Sequence, residues 1–197
     1  MKLTAIVTAA GASTRMGDQH KALLDWGGRP LVTHQVECLT DAGFDPIVVV
    51  TGAESTSLAN AVPPEGRVVH NPDWKVGRSR SIAAGANALP DDADAVLVVA
   101  VDQPIEPDVL SRLVEHAGAS LVQPADDAGA GHPVILGATY LDALRGIEQE
   151  EHGLRSIVDR ARPDGIMVTF DELPHWDLNT PEAYRSSRPS SEQTDSE

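Results

Sequence analysis

The sequence predicts an α/β fold: one three-layer domain whose mostly parallel sheet is covered by helices on both faces. Three observations lead there. Continuous apolar runs of strand length recur along the chain, separated by stretches with helical spacing. The chain has 197 residues, 41% of them hydrophobic, enough for a single domain with a sizeable core. The longest apolar run, near Ala95 to Val101, is far too short to cross a bilayer.

In chain order, Leu3 to Ala9 reads as a buried strand. Pro30 to Ala42 reads as a helix with proline in its first turn. Pro46 to Thr51 is a second buried strand, ended by Gly52, and Glu54 to Ala61 a short helix. Arg67 to His70 is a third strand. Ser79 to Leu89 places alanine and leucine at helical spacing, and Ala95 to Val101 is the most apolar strand. Pro107 to Ala117 is a helix. Ser120 to Gln123 and Pro133 to Leu136 are strands, and Ala138 to Gly146 and Leu154 to Ala161 are helices. Gly165 to Phe170 is the last strand, and Pro181 to Arg185 opens the last helix. After Tyr184 the chain is polar, with no apolar side chain to bury. The expected organisation is a domain over residues 1–185 and a disordered polar tail over 186–197.

Thirty acidic against 15 basic residues give a net charge of −15. A surface this acidic argues against nucleic acid or an anionic membrane as partner. Any phosphate site must then be a local basic pocket. The lysines are Lys2, Lys21 and Lys75, a scarcity that fits a salt-adapted host and a high-GC genome equally well. Cys38 is the sole cysteine, so no internal disulfide or cysteine-rich metal site forms, and its place among Leu31, Val32, Val36 and Leu39 reads as packing. The N-terminus enters a strand directly, without a signal-peptide cleavage region, and a cytoplasmic protein is the expectation.

Ligands in open parallel sheets bind beyond the carboxyl ends of the strands. The first strand runs into Thr8-Ala9-Ala10-Gly11-Ala12-Ser13-Thr14-Arg15-Met16-Gly17. Small residues here let backbone N–H groups approach phosphate oxygens. Arg15 adds a planar fork and Lys21 a point charge. A P-loop is excluded because Gly11 is followed by Met16 and Gly17-Asp18, not by Gly-Lys-Ser/Thr. A dinucleotide fingerprint is excluded because no glycine lies between Gly11 and Gly17, and the second strand ends in Thr51-Gly52 without a ribose-binding acid.

The full string, Ala-Ala-Gly-x-Ser-x-Arg-Met-Gly followed by Lys-x-Leu-Leu and Gly-Gly-Arg-Pro-Leu, resembles the MobA-like NTP transferase family, and most of all its molybdenum cofactor cytidylyltransferase (MocA-like) branch. The resemblance covers Leu3 to about Tyr184. It implies a Rossmann-like domain of the nucleotide-diphospho-sugar transferase type. Asn71-Pro72-Asp73-Trp74-Lys75-Val76-Gly77, with Ser81, looks like the family's Asn-Pro-x-Trp-x-x-Gly-x-x-x-Ser segment on the nucleotide side. Arg78 stands there in a place often held by methionine, and Arg80 adds a second fork; both fit a phosphate contact and a solvated surface alike. Asp102-Gln103-Pro104, after the most apolar strand, is similar to the family's Asp-x-Pro, where the aspartate binds magnesium. Asp177-Leu178-Asn179-Thr180-Pro181 resembles Asp-Ile-Asp-Thr-Pro, with Asn179 where many relatives have Asp. Gly131-His132-Pro133-Val134 and Glu151-His152-Gly153-Leu154-Arg155 match acceptor-side stretches, making His132 and Arg155 candidates for the acceptor's phosphate or pterin.

The resemblance thus implies nucleotide binding by Ala9, Ala10, Gly11, Ala12, Ser13, Arg15, Met16, Gly17, Lys21, Ser81 and Asp102. Arg15, Lys21 and Asp102 are the expected catalytic residues, with Mg2+ on Asp102 and Asn179. The expected substrates are an NTP and a phosphorylated acceptor, CTP and the molybdenum cofactor by branch, and a molybdoenzyme or cofactor-insertion protein is a candidate partner. Thr8-Ala9-Ala10-Gly11, where the guanylyl branch has Leu-Ala-Gly-Gly, is the residue-level reason for cytidine. The alternatives are a guanylyl- or sugar/alcohol-phosphate nucleotidylyltransferase, a nucleotide- or pterin-binding maturation factor without turnover, and an NAD-dependent oxidoreductase, the last opposed by the loop spacing.

Overall fold

Leu3–Ala9 forms β1, and its alternate side chains divide the core in two. Ala5, Val7 and Ala9 face one layer of helices while Ile6 faces the other, the period of two that a strand imposes. The structure is a computed structural model that describes residues 1–12, 20–53, 55–148, 153–174 and 177–189.

A short hairpin, β2 (Asp25–Trp26) and β3 (Arg29–Pro30), precedes α1 (Leu31–Asp41). Then come β4 (Ile47–Thr51), α2 (Ser55–Ala61), β5 (Gly66–His70), α3 (Arg78–Asn87) and β6 (Ala95–Ala100). The second half holds α4 (Pro107–Val114), β7 (Leu121–Asp126), β8 (Gly129–Ala130), β9 (Val134–Gly137) and α5 (Leu141–Arg145). It closes with α6 (Leu154–Ala161), β10 (Ile166–Thr169) and α7 (Pro181–Ser187).

The sheet order is β10-β7-β9-β6-β1-β4-β5, with β8 on β7. All its strands run parallel except β9, antiparallel between β6 and β7, and β8. Helices α1, α2 and α4 contribute to the core on one face through Leu31, Val36, Leu58 and Leu113. Helices α3, α5 and α6 cover the other through Ile82, Leu144 and Ile157. This is the α/β three-layer domain the sequence predicts. β1, β4 and β6 are almost wholly buried, as strands covered on both faces must be. Their register brings Ala9 beside Thr51 and Thr8 beside Ala100, so their carboxyl ends open on one edge.

The differences from the sequence reading are local. The hairpin at residues 25–30 was not foreseen; its Gly27-Gly28 turn has φ values of 64° and 85°, which glycine adopts without steric cost. Ala138–Gly146 splits into a 3-10 turn and the short α5. The Pro107 helix stops at Val114 rather than Ala117. α7 extends to Ser187, and Arg188 forms an ion pair with Asp25; residues 190–197 lie outside the described residues.

Candidate active site

A cleft of about 200 Å³ opens where β1 and β6 end, lined among others by Ala9, Ala10, Gly11, Lys21, Ser81 and Asp102. Six sequence-predicted nucleotide-side residues thus line one cavity. Ala12 is exposed and does not line it. Ser13, Arg15, Met16 and Gly17 lie outside the described residues. Gly52 packs against this loop so closely that a Cβ there would stand 2.6 Å from the Ala10 carbonyl oxygen and from Trp74. Only glycine lets β4 end beside it.

Lys21 begins a short helical turn that the His20 ring starts by accepting the Ala22 N–H at 3.3 Å. The Lys21 ammonium donates to Asp102 Oδ2 at 2.8 Å, and both side chains are only 14% exposed. It donates also to Asn179 Oδ1, while the Asn179 amide nitrogen donates to Asp177. The two residues proposed for magnesium therefore converge on one cation. Two oxygen donors on one positive charge suit magnesium, which takes few protein ligands and completes its shell with water and phosphate. Among the described residues no group of three or more His, Cys, Asp or Glu is placed to hold a metal.

Three structural links hold these residues together. The Leu178 N–H donates to the Asp102 carbonyl at 3.1 Å. The Tyr184 hydroxyl donates to the Asp25 carbonyl at 2.6 Å, tying α7 to the hairpin that follows Lys21. Fully buried Gln35 of α1 braces the loop after β6, donating to the Gln103 carbonyl at 2.9 Å and accepting from the Ile105 N–H at 3.2 Å. Thr180 caps α7 by accepting the Ala183 N–H. Neither Asp102 nor Glu106 caps α4 with its side chain.

On the nucleotide side, Asn71 donates to Ser81 Oγ at 3.0 Å and accepts the Asp73 N–H at 3.0 Å, which sets the loop before α3. Ser79 and Ser81 are buried, and Gly77 takes the cap position of α3 without a side-chain bond. Trp74, His20 and Arg78 also line the cleft and were absent from the predicted site. Trp74 carried a sequence signal as the aromatic of the Asn-Pro-x-Trp string, Arg78 stood out as the arginine in a place often held by methionine, and His20 carried none.

A larger pocket of about 600 Å³ adjoins, lined by His132 and Arg155, the two predicted acceptor residues, together with Arg78, Gln123, Asp159 and Arg162. Arg155 and Arg162 share Asp159 at 3.8 and 3.9 Å. Gln123 donates to the Gly131 carbonyl at 2.9 Å, fixing the turn that carries His132. The protein around His132 lowers its pKa from the ordinary value, and Arg78 adds to this while Asp102 and Asp177 oppose it. The ring is thereby favoured in its neutral form. Glu151 and His152 lie outside the described residues. Burial pushes the Cys38 thiol up to about 11, so it stays protonated and serves as packing, as the sequence suggests.

Among the described residues no helix is long and apolar enough to cross a membrane. The chain is 31% identical over 194 residues to nicotine blue oxidoreductase of Paenarthrobacter nicotinovorans, covering 91% of this chain and 93% of that protein. Its structure is similar to a nucleotidyl transferase from Methanothermobacter at TM-score 0.79 and 26% identity, covering 95% and 96% of the two chains. It shares its fold with Rv0371c of Mycobacterium tuberculosis at TM-score 0.81 and 22% identity, covering 94% and 97%; that protein has also been solved with manganese. The family model for the MobA-like NTP transferase domain matches residues 5–165, the stretch from β1 to the end of α6 that builds both cavities, and the chain belongs to that family.

Proposed function

We propose that this chain transfers CMP from CTP to a phosphorylated acceptor, the molybdenum cofactor or molybdopterin, and releases pyrophosphate. The observation that carries this reading is the convergence of Lys21, Asp102 and Asn179 beside the Ala9–Gly11 loop, next to an arginine-lined second pocket. Attack at an α-phosphate needs alignment and charge neutralisation more than covalent chemistry. An acceptor phosphate oxygen is already anionic, so no general base is required. It forms a bond to the α-phosphorus while the bond to the β-phosphate oxygen breaks, and the electron pair leaves with pyrophosphate.

In this reading Ala9, Ala10 and Gly11 offer backbone to the triphosphate, with Ser13, Arg15, Met16 and Gly17 continuing the loop. Arg15 and Lys21 neutralise the leaving pyrophosphate. Asp102 and Asn179 would hold Mg2+, which supplies positive charge to the phosphate oxygens when bound. His132, favoured neutral, offers a hydrogen bond rather than a charge to the acceptor, and Arg155 offers charge. Residues 1–185 form the catalytic domain, and a molybdoenzyme or insertion protein is the expected recipient of the product.

The test is pyrophosphate release with magnesium, comparing CTP, GTP, ATP and UTP with molybdopterin as acceptor. Release with CTP is the expected result; release with GTP moves the protein to the guanylyl branch, and release with none of the four refutes the reading. A second reading, oxidoreduction of nicotine blue or a related compound, is favoured by the similarity to the P. nicotinovorans oxidoreductase. Oxidation of NADH or NADPH with nicotine blue as electron acceptor, in protein that releases no pyrophosphate, would establish it instead.

A further inference from the structure

Arg78 is the first residue of α3 and lies exposed beside both cavities. It lines the cleft that holds Lys21 and Asp102 and also the larger pocket that holds His132 and Arg155. Of the described residues that line either cavity, it alone lines both. The other cations nearby already have carboxylate partners: Lys21 is on Asp102, and Arg155 and Arg162 share Asp159. Arg78 makes no hydrogen bond or ion pair among the described residues. Its position is also electrostatically unfavourable for the fold. The first turn of α3 holds no acid, so the guanidinium sits at the positive end of the helix with no carboxylate of that turn to offset it. A fork of five donors left unpaired, against the helix dipole, between two cavities, is arranged for an anion that enters from both sides.

We propose that Arg78 is a catalytic residue that bridges the acceptor's phosphate in the larger pocket and the α-phosphate of the nucleotide in the cleft. This rests on the nucleotidyl-transfer reading and deepens it. Two phosphates repel as the acceptor oxygen closes on the α-phosphorus, and one planar guanidinium donating to both offsets the repulsion where it is greatest. The bond to the acceptor oxygen forms, the bond to the β-phosphate oxygen breaks, and pyrophosphate carries off the electron pair. Arg78 keeps its protons throughout.

The experiment compares Arg78→Met, Arg78→Lys and Arg80→Met with the wild type. Arg80 is exposed on the same helix turn and lines neither cavity, so its variant removes equal charge nearby. In Arg78→Met, kcat/KM for the acceptor should fall about 100- to 1000-fold, the usual loss for one transition-state donor. Arg78→Lys should recover only part of that, since an ammonium cannot donate to both phosphates in one plane. The affinity for CTP alone should change little in all three, and Arg80→Met should keep full turnover. A second readout is independent of turnover: calorimetric binding of inorganic phosphate to protein saturated with magnesium and α,β-methylene-CTP. The wild type and Arg80→Met should bind phosphate, and Arg78→Met should lose most of that affinity. A melting temperature at or above the wild-type value shows that Arg78→Met is folded. Equal turnover and phosphate binding in Arg78→Met and wild type overturn the role of Arg78 while leaving nucleotidyl transfer standing. Equal losses in Arg78→Met and Arg80→Met overturn it too, since general charge then explains both. A wild type that neither binds CTP nor releases pyrophosphate overturns the functional reading itself, and the Arg78 proposal with it.

Discussion

Replacing Lys21 by methionine should tighten divalent-cation binding to the nucleotide-free protein. The side chain stays unbranched, shortens by one atom and loses its charge. In the structure the ammonium occupies the place between Asp102 Oδ2, at 2.8 Å, and Asn179 Oδ1. Those two oxygens cannot serve the ammonium and a dication together, so the wild type must break this contact before a metal can enter. Hydrogen bonds to charged groups contribute about 1.5–3 kcal/mol net. Rehydration of the displaced ammonium returns part of that, so one bond's worth, about 2 kcal/mol, is a fair figure. At 1.4 kcal/mol per factor of ten this is roughly a 30-fold gain in affinity. The gain is reinforced because Asp102, 14% exposed, loses its cation partner in the variant without metal. The assay is Mn2+ titration followed by the EPR signal of the free aquo ion, with Asp102→Asn as the control that abolishes binding. The same variant should lose far more kcat than KM in turnover. Unchanged or weaker Mn2+ affinity in Lys21→Met refutes the competition, because general damage to the site weakens binding and cannot strengthen it.

Gln35→Leu should destabilise the protein by about 1–3 kcal/mol, since it orphans the Gln103 carbonyl and the Ile105 N–H in a buried place. Urea denaturation checks this, and an unchanged midpoint would show that the brace contributes nothing. His132 has a folded-state pKa below its ordinary 6.5, so the unfolded chain takes up the proton first as pH falls. The stability it contributes is full above 6.5 and is lost as pH drops through the folded pKa. His34, half-buried and shifted the same way, adds a second share. Melting temperatures of His132→Gln between pH 7.5 and 5 should therefore fall less steeply than the wild type's, and parallel curves would refute the assignment.

The strands that build the site were legible because burial on both faces writes an unbroken apolar run, as in Ala95–Ala100 with every residue buried. The direction of β9 was not, since Val134–Gly137 reads the same whether it pairs parallel or antiparallel. The hairpin of β2 and β3 escaped because two residues a side carry no periodicity. Asp102 announced itself as a lone carboxylate at the end of the most apolar strand. Its meeting with Lys21 and Asn179 did not, because those contacts span 81 and 158 residues, and the Tyr184 bond to Asp25 that ties in α7 spans 159. Pattern along the chain reports which face a residue takes and is silent on which distant segment arrives there.

The pair Arg78 and Arg80 shows where the boundary falls. By residue type the two are identical, and both follow the same glycine at the start of one helix. Two positions on a helix differ by a rotation of about 200°, so they point to opposite sides. Helical periodicity alone therefore separates them without saying which side is the useful one. That choice is made by the neighbours: Ser81 is buried and turned to the cleft through its bond from Asn71, and Gly153 places the start of α6 against Ser79. With α3 held so, residue 78 falls between the cleft and the pocket while residue 80 faces away from both. A function read from the arginine string alone would have to treat the two alike, and the difference expected between their methionine variants is where the tertiary structure makes its own claim.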